Sequence, residues 1–421
     1  TGGIWHCCQM DLRLEPTVRA EAILRIPGEA RPALARAFAG AGMRVIRWMQ
    51  EAGIRFIKGP YDYQAFMLSP PTITPQGRQW EGRGGDVMLR TFEAALARLG
   101  GAVLRGHKAT ALVREAGRIT GIEGEHAGGM FQVRAGAVVL ADGGFQANPE
   151  VIRGPITPVP ERVFQRNGRT GMGDALRMAI AVGAAQTDMR GFYGHVLSVD
   201  AYTNDRLWPY AWLDFVVAAG IAVGRDGQRF DDEGLGGVHM ANAIAARTDP
   251  ADVLVVADEL VWQERGTFNI LPPNPRLVEA GGTMHRADTL AALAEKAGIA
   301  AEPFLATVER YNAAVKAGAG AQLAPPRSAH KFQAYAIEKP PFYAFPAVAG
   351  ITYTMGGIAI DACCRVLDAS GTPIPALYAV GCCTGGLEGG GKWGYVGGLV
   401  KSSVTGLRAG DHILGQLQAA S

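Results

Sequence analysis

The stretch from Gly381 to Gly398, GCCTGGLEGGGKWGYVGG, constrains the fold more than any other part of the sequence. It contains two overlapping patterns that are typical of phosphate-binding loops: Gly386–Lys392 reads G-x-x-x-x-G-K, and Gly389–Gly394 reads G-x-G-x-x-G. Glycines at this density let the backbone turn sharply and approach a ligand closely. The stretch therefore indicates a ligand-binding loop, and its sequence context decides which ligand.

Neither pattern fits its usual role. A P-loop needs Ser or Thr directly after the lysine to coordinate Mg²⁺, and here Trp393 follows Lys392. The dinucleotide pattern should join a strand directly to a helix, but after ALYAVG the chain first runs through CCTGGLE. Because the chain has 57 glycines, a chance match to this pattern is expected. The loop is predicted to hold neither ATP nor a pyrophosphate.

Composition and charge exclude several classes of protein. The chain of 421 residues is 48% hydrophobic, which is ordinary for a globular protein and enough for two domains with a substantial core. Lys and Arg exceed Asp and Glu by only 41 to 39, so nucleic-acid binding has little electrostatic support. The apolar run at 215–223 is too short for a membrane span, which needs about 20 residues. We therefore expect no nucleic-acid partner and no membrane span.

The cysteines form three adjacent pairs: Cys7–Cys8, Cys363–Cys364 and Cys382–Cys383. Adjacent cysteines seldom bridge each other, and CxxC spacing does not occur, so neither a disulfide framework nor a zinc site is indicated. The pattern predicts reduced thiols, no bound metal and a cytoplasmic location.

Hydrophobic periodicity predicts a mixture of helices and strands. Residues 83–99 follow a helical period, and two alternating runs around Ala116–Gly117 predict a hairpin. Residues 135–145 form a continuous apolar run ending in two glycines, which is typical of a buried strand in a layered α/β sheet. Residues 171–184 read as a glycine turn into a helix that Asp174 could cap.

Several segments together resemble the flavoprotein family of fumarate reductases, succinate dehydrogenases and 3-ketosteroid dehydrogenases, and the nearest branch is similar to the FAD-dependent tricarballylate dehydrogenases. In chain order they are VVLADGGF, GMGDALRMAIAVGA, RFDDEG, TVERYNAAVKAG, KPPFYAFP, TMGGIAID, ALYAVGCCTGG and YVGGLVKSSVTGLRAG. With Thr1–Gly3 they run to about Gly410 in family order. The resemblance implies FAD as the cofactor and an α/β fold: a doubly wound FAD-binding domain, discontinuous in sequence, with an inserted α+β cap domain.

The resemblance also implies domain boundaries. The FAD-binding domain would comprise residues 1–188 and 354–421, with the cap domain at 189–353. In the family, a strand and a G-x-G-x-x-G turn precede a Ser-Gly-Gly stretch that Thr1–Gly3 resembles. The chain, which begins at Thr1, is therefore expected to lack that first βαβ unit and to hold FAD weakly.

Cofactor contacts are implied in three segments besides the first glycines. The family's ATGGF corresponds to 141–145, where Asp142 adds a charge beside an anionic cofactor. Its G-E-x-T-G-G corresponds to 381–386, where Cys382 replaces a glutamate that hydrogen-bonds the FAD sugar chain. The predicted cofactor-binding residues are Thr1, Gly2, Gly3, Ala141, Asp142, Gly143, Gly144, Gly381, Cys382, Gly385, Leu399 and Val400.

The resemblance places substrate-binding and catalytic residues as well. The family's TGGVHGANR corresponds to TGGLEGGGK, which puts Lys392 at the arginine that clamps a substrate carboxylate. HYTMGG appears as TYTMGG, so Thr352 replaces a carboxylate-gripping histidine. His195 falls near another substrate histidine, Glu233 matches an acid near the proton pathway, and Tyr353 is a candidate base. Each also has a plainer interpretation, as a packed histidine, a turn residue or a core tyrosine.

The implied function is α,β-dehydrogenation of a small carboxylate or carbonyl substrate, or the reverse ene reduction, with an unidentified electron acceptor. Lys392 and His195 would polarise the substrate while Tyr353 takes the α-proton. One alternative is a truncated or degenerate flavoprotein homologue that neither binds FAD nor catalyses, which Cys382 and Thr352 favour. Another is a ketosteroid or cyclic-ketone dehydrogenase, which suits the aromatic segment 192–215.

Overall fold

The computed structural model describes residues 3–26, 31–69, 84–207, 212–267, 275–329 and 331–420. The helices of this part of the chain are α1 (Pro16–Leu24), α2 (Pro32–Glu51), α3 (Gly84–Arg98), α4 (Pro149–Ile152), α5 (Asp174–Ala181), α6 (Asp214–Ala219), α7 (Gly237–Ala245), α8 (Pro275–Glu279), α9 (Leu290–Ala297), α10 (Ala301–Lys316) and α11 (Gly398–Ala420). The strands are β1 (Ile4–Trp5), β2 (Phe56–Ile57), β3 (Phe66–Leu68), β4 (Lys108–Glu115), β5 (Arg118–His126), β6 (Gly129–Arg134), β7 (Val138–Leu140), β8 (Phe164–Gln165), β9 (Phe192–Ser198), β10 (Ile221–Gly224), β11 (Val253–Asp258), β12 (His285–Ala287), β13 (Phe342–Thr354), β14 (Arg365–Leu367) and β15 (Pro373–Ala379).

The chain forms two compact units. The first comprises residues 1–144, 173–189 and 355–421, and the second comprises 145–172 and 190–354. The expected division placed 145–172 with the FAD-binding domain. This segment belongs to the second unit because its strand β8 pairs in parallel with β13.

The sheet that carries the glycine segments has the strand order β14-β15-β7. Strands β7 and β15 are parallel, with Leu140 opposite Ala379, and the Val380 amide donates to the Leu140 carbonyl at 2.9 Å. The strand expected at 135–145 is shorter than predicted, since only Val138–Leu140 pairs. Because the two strands are parallel, the residues that follow each of them leave the same edge of the sheet.

A second sheet of the first unit confirms the predicted hairpin. Strands β4, β5 and β6 are antiparallel neighbours, and the turn between β4 and β5 has positive φ at Ala116 (47°) and Gly117 (83°). Two successive residues with positive φ form the turn whose twist matches that of hairpin strands. Helix α3, at 84–98, likewise confirms the helical period at 83–99.

Helix α5 is capped differently from the prediction. Gly173 occupies the N-cap position with φ 75°, and Asp174 is the first helical residue. The Ala175 amide donates to Asp142 Oδ2 at 2.8 Å, so the capping carboxylate comes from Asp142 on the adjacent glycine segment. A carboxylate at this end of a helix is favoured by the orphan amides and the helix dipole.

The second unit is built around β13, a 13-residue strand. Its first half pairs with β11 and β12, and its second half pairs with β8 and β9. Nearly all of its residues are buried, which is typical of a central strand covered on both faces. The antiparallel ladder between β9 and β13 carries the polar residues described next.

Candidate functional site

A chain of three polar side chains lies on the β9 ladder of the second unit. Tyr193 and His195 are two residues apart on β9 and therefore project from the same face. His195 Nδ1 lies 2.5 Å from Oδ2 of Asp214, the first residue of α6, and His195 Nε2 lies 3.0 Å from the Tyr193 hydroxyl. The other carboxylate oxygen of Asp214 accepts the Val196 amide at 2.7 Å. We refer to these three residues as the Asp214–His195–Tyr193 chain.

The positions of the protons in this chain follow from its donors and acceptors. A carboxylate oxygen only accepts, so the His195 proton is on Nδ1. Burial lowers the pKa of His195, against the opposing effect of Asp214, and the imidazole is therefore neutral at neutral pH. A neutral ring protonated on Nδ1 accepts at Nε2, so the Tyr193 hydroxyl donates to it. Tyr193 thus has a direct route for passing its proton to His195.

The glycine at the start of α7 makes room for the carboxylate. A Cβ atom on Gly237 would lie 2.1 Å from Cγ of Asp214. Any larger residue there would displace Asp214 from His195. The geometry of the Asp214–His195–Tyr193 chain therefore depends on a glycine from a different element.

Tyr353 and Thr352 lie beside this chain on β13. Tyr353 is opposite Tyr193 in the ladder, their ring centroids are 5.5 Å apart, and Tyr353 is only 7% exposed. Thr352 lies at the irregular step of the ladder, between Ile351 and Tyr353. Its hydroxyl accepts a hydrogen bond from Nη1 of Arg166 at 2.7 Å. The structure thus brings His195 and Tyr353 together and adds Tyr193, Asp214 and Arg166, which the sequence did not single out.

Glu233 lies in the interior of the second unit. Its side chain is fully buried and forms an ion pair with Arg229, with Nη2 of Arg229 2.5 Å from Oε2. Its Oε1 accepts from Nε of Arg229 at 2.9 Å and from the Ala222 amide at 3.0 Å. Both carboxylate oxygens are therefore engaged by donors of the same unit. A role of Glu233 in proton transfer stays a prediction.

Lys392 lies at the tip of the glycine loop in the first unit. Gly389 and Gly394 exchange two backbone hydrogen bonds, of 2.9 and 3.0 Å, and so close a tight four-residue turn. The Lys392 side chain is exposed. The turn presents the ammonium group to solvent, which is compatible with either substrate binding or simple solvation, and the substrate role stays a prediction.

The loop is held at its base by a buried ion pair that the sequence-based interpretation missed. Lys401 and Glu388 have fully buried side chains, with Nζ 3.1 Å from Oε2. Lys401 Nζ also donates to the Thr384 carbonyl at 2.9 Å, and Glu388 Oε1 accepts the Val396 amide at 3.1 Å. The pair therefore joins both ends of the glycine loop to helix α11.

The predicted cofactor segments of the first unit lie close together. Residues 141–144 and 381–386 follow the parallel strands β7 and β15 at the same edge, and Gly381 donates to Thr405 of α11 at 2.8 Å. The amides of Leu399 and Val400 lie in the first turn of α11, where an amide has no intrahelical acceptor. Such a turn favours acceptor-rich or anionic groups.

Gly143 and Asp142, in the segment 141–144, are compatible with nucleotide binding. Gly143 has φ 91°, and the space where its Cβ would lie is open, so a ligand can approach its backbone closely. The carboxylate of Asp142 is engaged by the N-terminus of α5. This contact offsets its charge near an anionic cofactor. The residues present therefore fit a nucleotide cofactor such as FAD.

The start of the chain contributes one described residue to the predicted set. Gly3 has φ 69°, and its carbonyl accepts the Leu68 amide at 2.7 Å. Thr1 and Gly2 lie outside the described residues. Their assignment to the cofactor site stays a prediction.

The cysteines are free thiols. Burial raises the pKa of Cys382 to about 11 and that of Cys383 to about 12. Both thiols are therefore protonated near neutral pH and are poor nucleophiles. Among the described residues, no group of three or more His, Cys, Asp or Glu side chains is arranged to hold a metal ion. A search of the same residues found no helix with the length and apolarity needed to cross a membrane.

Parallel strands with glycine segments at their carboxyl ends are typical of nucleotide-binding α/β proteins, and comparisons with known proteins agree. The fold is similar to that of the 3-ketosteroid-Δ4-(5α)-dehydrogenase from Rhodococcus jostii RHA1, with a TM-score of 0.69, 22% identity, and coverage of 98% of this chain and 88% of that one. A family model described as FAD binding domain matches residues 11–394. The chain belongs to this family, whose cofactor is FAD. The resemblance to the wider flavoprotein family is confirmed, and the closer similarity to the tricarballylate dehydrogenases stays a prediction.

Two curated relatives are enzymes that act on small carboxylates. The NADH:acrylate oxidoreductase of Vibrio harveyi is 28% identical over 84% of this chain and 34% of its own length. The 4-oxocyclohexanecarboxylate 2-dehydrogenase of Sinomonas cyclohexanicum is 30% identical over 72% of this chain and 55% of its own length. The chain thus spans between a third and somewhat more than half of these relatives.

Proposed function

We propose that the chain is part of an FAD-dependent oxidoreductase that acts on the bond between the α and β carbons of a small carboxylate or carbonyl substrate. The reaction is dehydrogenation or the reverse ene reduction. The observation that carries the proposal is the Asp214–His195–Tyr193 chain, which forms a proton route on one face of the β9–β13 ladder. The named substrates of the two relatives, acrylate and 4-oxocyclohexanecarboxylate, support the substrate class. We also propose a cytoplasmic location and an electron acceptor that is not yet identified.

The first unit would hold the cofactor. Residues 141–144, Gly381, Cys382 and Gly385 would lie against it, and the first-turn amides of Leu399 and Val400 would donate to its acceptor atoms. FAD, when bound, supplies the two-electron chemistry by accepting or donating hydride. The protein supplies orientation and the movement of the accompanying proton.

The second unit would move that proton. In dehydrogenation, the Tyr193 oxygen takes the α-proton of the substrate as the hydroxyl proton of Tyr193 passes to Nε2 of His195. The resulting imidazolium is stabilised by Asp214 at Nδ1. In ene reduction the same protons move in the opposite direction. A role of Lys392 in polarising the substrate carbonyl stays the prediction made from the sequence; some polarisation is needed because an unactivated C–H is too weakly acidic to react.

Tyr353 stays a second candidate for the base. It lies next to Tyr193, but it is almost fully buried, and the contact between a tyrosine hydroxyl and His195 is made by Tyr193. The two tyrosines are also compatible with a cyclic-ketone substrate, because a phenol hydroxyl can donate to a ketone oxygen. Carboxylates and neutral ketones must therefore be compared directly.

Anaerobic flavin spectroscopy tests the proposal in the direction of ene reduction. The chain is loaded with FAD, the flavin is reduced with dithionite, and acrylate, fumarate, urocanate or cyclohex-2-enone is added. We expect at least one acid to reoxidise the flavin, with formation of the saturated acid. Reoxidation by the ketone alone would favour the cyclic-ketone alternative. Failure of all compounds with flavin bound would contradict the proposal.

A further inference from the structure

Cys7 and Cys8 are held in contact by a tight turn between β1 and α1. The backbones of Cys7 and Met10 exchange two hydrogen bonds, of 3.3 and 2.8 Å, which close the turn. Its two central residues both have positive φ, 52° at Cys8 and 58° at Gln9. Residues other than glycine rarely adopt this conformation, and it persists where the surrounding structure enforces it. The result is that the sulfur atoms of Cys7 and Cys8 lie 3.9 Å apart.

The turn is held against the segment that leads into helix α11. The Cys8 amide donates to the Val396 carbonyl at 2.9 Å, and the Gln9 amide donates to Nδ1 of His6 at 3.2 Å. A Cβ atom on Gly397 would lie 2.4 Å from the His6 carbonyl oxygen, so the two segments are packed directly together. The surrounding structure therefore fixes the conformation that brings the two thiols together.

A buried guanidinium lies near Cys7. Arg19 is 2% exposed, and its terminal nitrogens donate to three backbone carbonyl oxygens, those of Leu12, Leu14 and Ala39. Its Nε is buried and has no hydrogen-bond partner among the described residues. Burial lowers the pKa of Arg19, and the interaction with Cys7 opposes that effect. A cation near a cysteine stabilises the thiolate, which is the form that oxidants attack.

Cys8 is suited to act second. It is only partly buried, whereas Cys7 is 1% exposed, so a small molecule reaches the pair from the side of Cys8. The hydrogen bond with Cys7 and burial raise the pKa of Cys8, so Cys8 keeps its proton near neutral pH. A neighbouring protonated thiol is the group that condenses with a sulfenic acid once one has formed.

From these contacts we propose that Cys7 and Cys8 form a reversible disulfide when the chain meets hydrogen peroxide. The Cys7 thiolate attacks one peroxide oxygen, the O–O bond breaks, hydroxide leaves and Cys7 becomes a sulfenic acid. The Cys8 sulfur then attacks the Cys7 sulfur, the S–O bond breaks, and water leaves with the Cys8 proton. In total the two thiols lose two electrons and two protons, and the peroxide becomes two molecules of water. This modification is independent of the proposed oxidoreductase function.

The expected disulfide is strained, and this makes it reversible. Adjacent Cα atoms are about 3.8 Å apart across a trans peptide, which is closer than the separation of about 4.4–6.8 Å usual for a disulfide. For this reason adjacent cysteines seldom bridge. Here the sulfurs are already in contact and approach by only about 2 Å to form the bond. A strained disulfide is reduced more readily than a relaxed one, so a thiol reductant should restore the pair.

The other two cysteine pairs are internal controls. Burial raises the pKa of Cys364 and that of Cys383 to about 12 each. Cys363–Cys364 and Cys382–Cys383 therefore each contain a thiol that stays protonated and buried. They have the same adjacent spacing as Cys7–Cys8, so they separate the effect of the turn and of Arg19 from the effect of sequence alone.

Peroxide treatment of the whole chain followed by mass spectrometry tests the inference. Free thiols are blocked with N-ethylmaleimide after treatment, and trypsin places the three pairs on separate peptides, which end at Arg13, Arg365 and Lys392. We expect the Cys7–Cys8 peptide to lose the mass of two hydrogens and to take up no N-ethylmaleimide. This change should be at least about 10-fold faster than in the other two peptides. Dithiothreitol should restore both thiols.

Serine variants identify the sulfur that reacts first. In Cys8→Ser, Cys7 should stop at the sulfenic acid, which dimedone traps, whereas Cys7→Ser should give no dimedone adduct at Cys8. Unfolding in urea before treatment should remove the preference for this pair, because the turn and the contact with Arg19 exist only in the folded chain. Equal oxidation of the three pairs in the folded chain, a preference that persists in urea, or a disulfide between two chains would each overturn the inference.

Discussion

The hydroxyl of Tyr193 donates to Nε2 of His195 at 3.0 Å, and this direction is set by Asp214 on the far side of the imidazole ring. The arrangement turns an ordinary tyrosine into a group that can exchange a proton without forming an isolated phenolate. Proton transfer along the Asp214–His195–Tyr193 chain requires each member to keep its role as donor or acceptor. Substitutions at these three positions therefore test it.

Replacing Asp214 with Asn should slow flavin reduction on the order of 100-fold. An amide nitrogen facing Nδ1 would favour the opposite ring tautomer, and Nε2 would then carry the proton and cease to accept from Tyr193. Stopped-flow absorbance of the FAD-loaded chain measures the rate. Asp231→Asn is the matched control, because Asp231 also contacts a histidine of this unit, His239, at 2.8 Å.

The pH profile of the same variant distinguishes proton transfer from a structural effect. Protonation of His195 should abolish activity on the acid side, since an imidazolium cannot take the Tyr193 proton. Burial lowers the pKa of His195, and Asp214 opposes this; removing the carboxylate should move the acid limb to lower pH. Arg166 also lowers the pKa of His195 and stays unchanged in the variant. An acid limb that stays in place, or moves to higher pH, would contradict the assigned role.

Lys401→Met should lower the free energy of unfolding by about 3–5 kcal/mol, because it leaves Glu388 buried without its cation. Lys392→Met, which removes an exposed lysine of the same loop, should change it by less than about 0.5 kcal/mol. Urea titrations of the two variants give the comparison. Equal effects would mean that the buried pair does not hold the loop.

Acid should destabilise the chain through His6. Burial lowers the pKa of His6 from 6.5 to about 4, so the unfolded chain takes up this proton at a higher pH than the folded chain. The contribution of neutral His6 is fully present above pH 6.5 and is lost as the pH falls from there towards 4. The loss amounts to about 3 kcal/mol at most, since each pKa unit corresponds to about 1.4 kcal/mol.

Unfolding titrations at pH 7 and at pH 4.5 measure this loss. His6→Gln should flatten the change between the two pH values, even if the variant is less stable at both. His107→Gln, at an exposed position, should behave like the unchanged chain. A pH dependence that survives in His6→Gln would assign it to other groups.

Local sequence patterns were sufficient to predict the elements that form through local interactions. The hairpin at Ala116–Gly117 and helix α3 follow from turn chemistry and periodicity, and the glycine segments pointed to the cofactor family. The Asp142 cap on α5 could not be seen this way, because it joins residues 33 positions apart through the packing of a sheet against a helix. The sequence around Asp142 does not indicate which helix its carboxylate contacts.

The site residues likewise divide into those that the sequence indicated and those that only the structure revealed. His195 was found through a family pattern, but Asp214 and Tyr193 became candidates only when the fold placed the start of helix α6 beside strand β9. One signal was available for Lys401: it lies between Val400 and Val404, which are buried on α11. A lysine on an apolar helix face indicates a buried partner, although the sequence does not say which acid supplies it.

The most direct test of the account is anaerobic flavin reduction or reoxidation in the FAD-loaded wild-type chain and in Tyr193→Phe. Phenylalanine keeps the ring and its packing against Tyr353 but removes the hydroxyl that donates to His195. The account predicts that the wild-type chain reacts with a small carboxylic acid, and that Tyr193→Phe binds the same acid but reacts about 100- to 10,000-fold more slowly. A Tyr193→Phe chain that reacts at the wild-type rate, particularly if Tyr353→Phe is inactive, would contradict it.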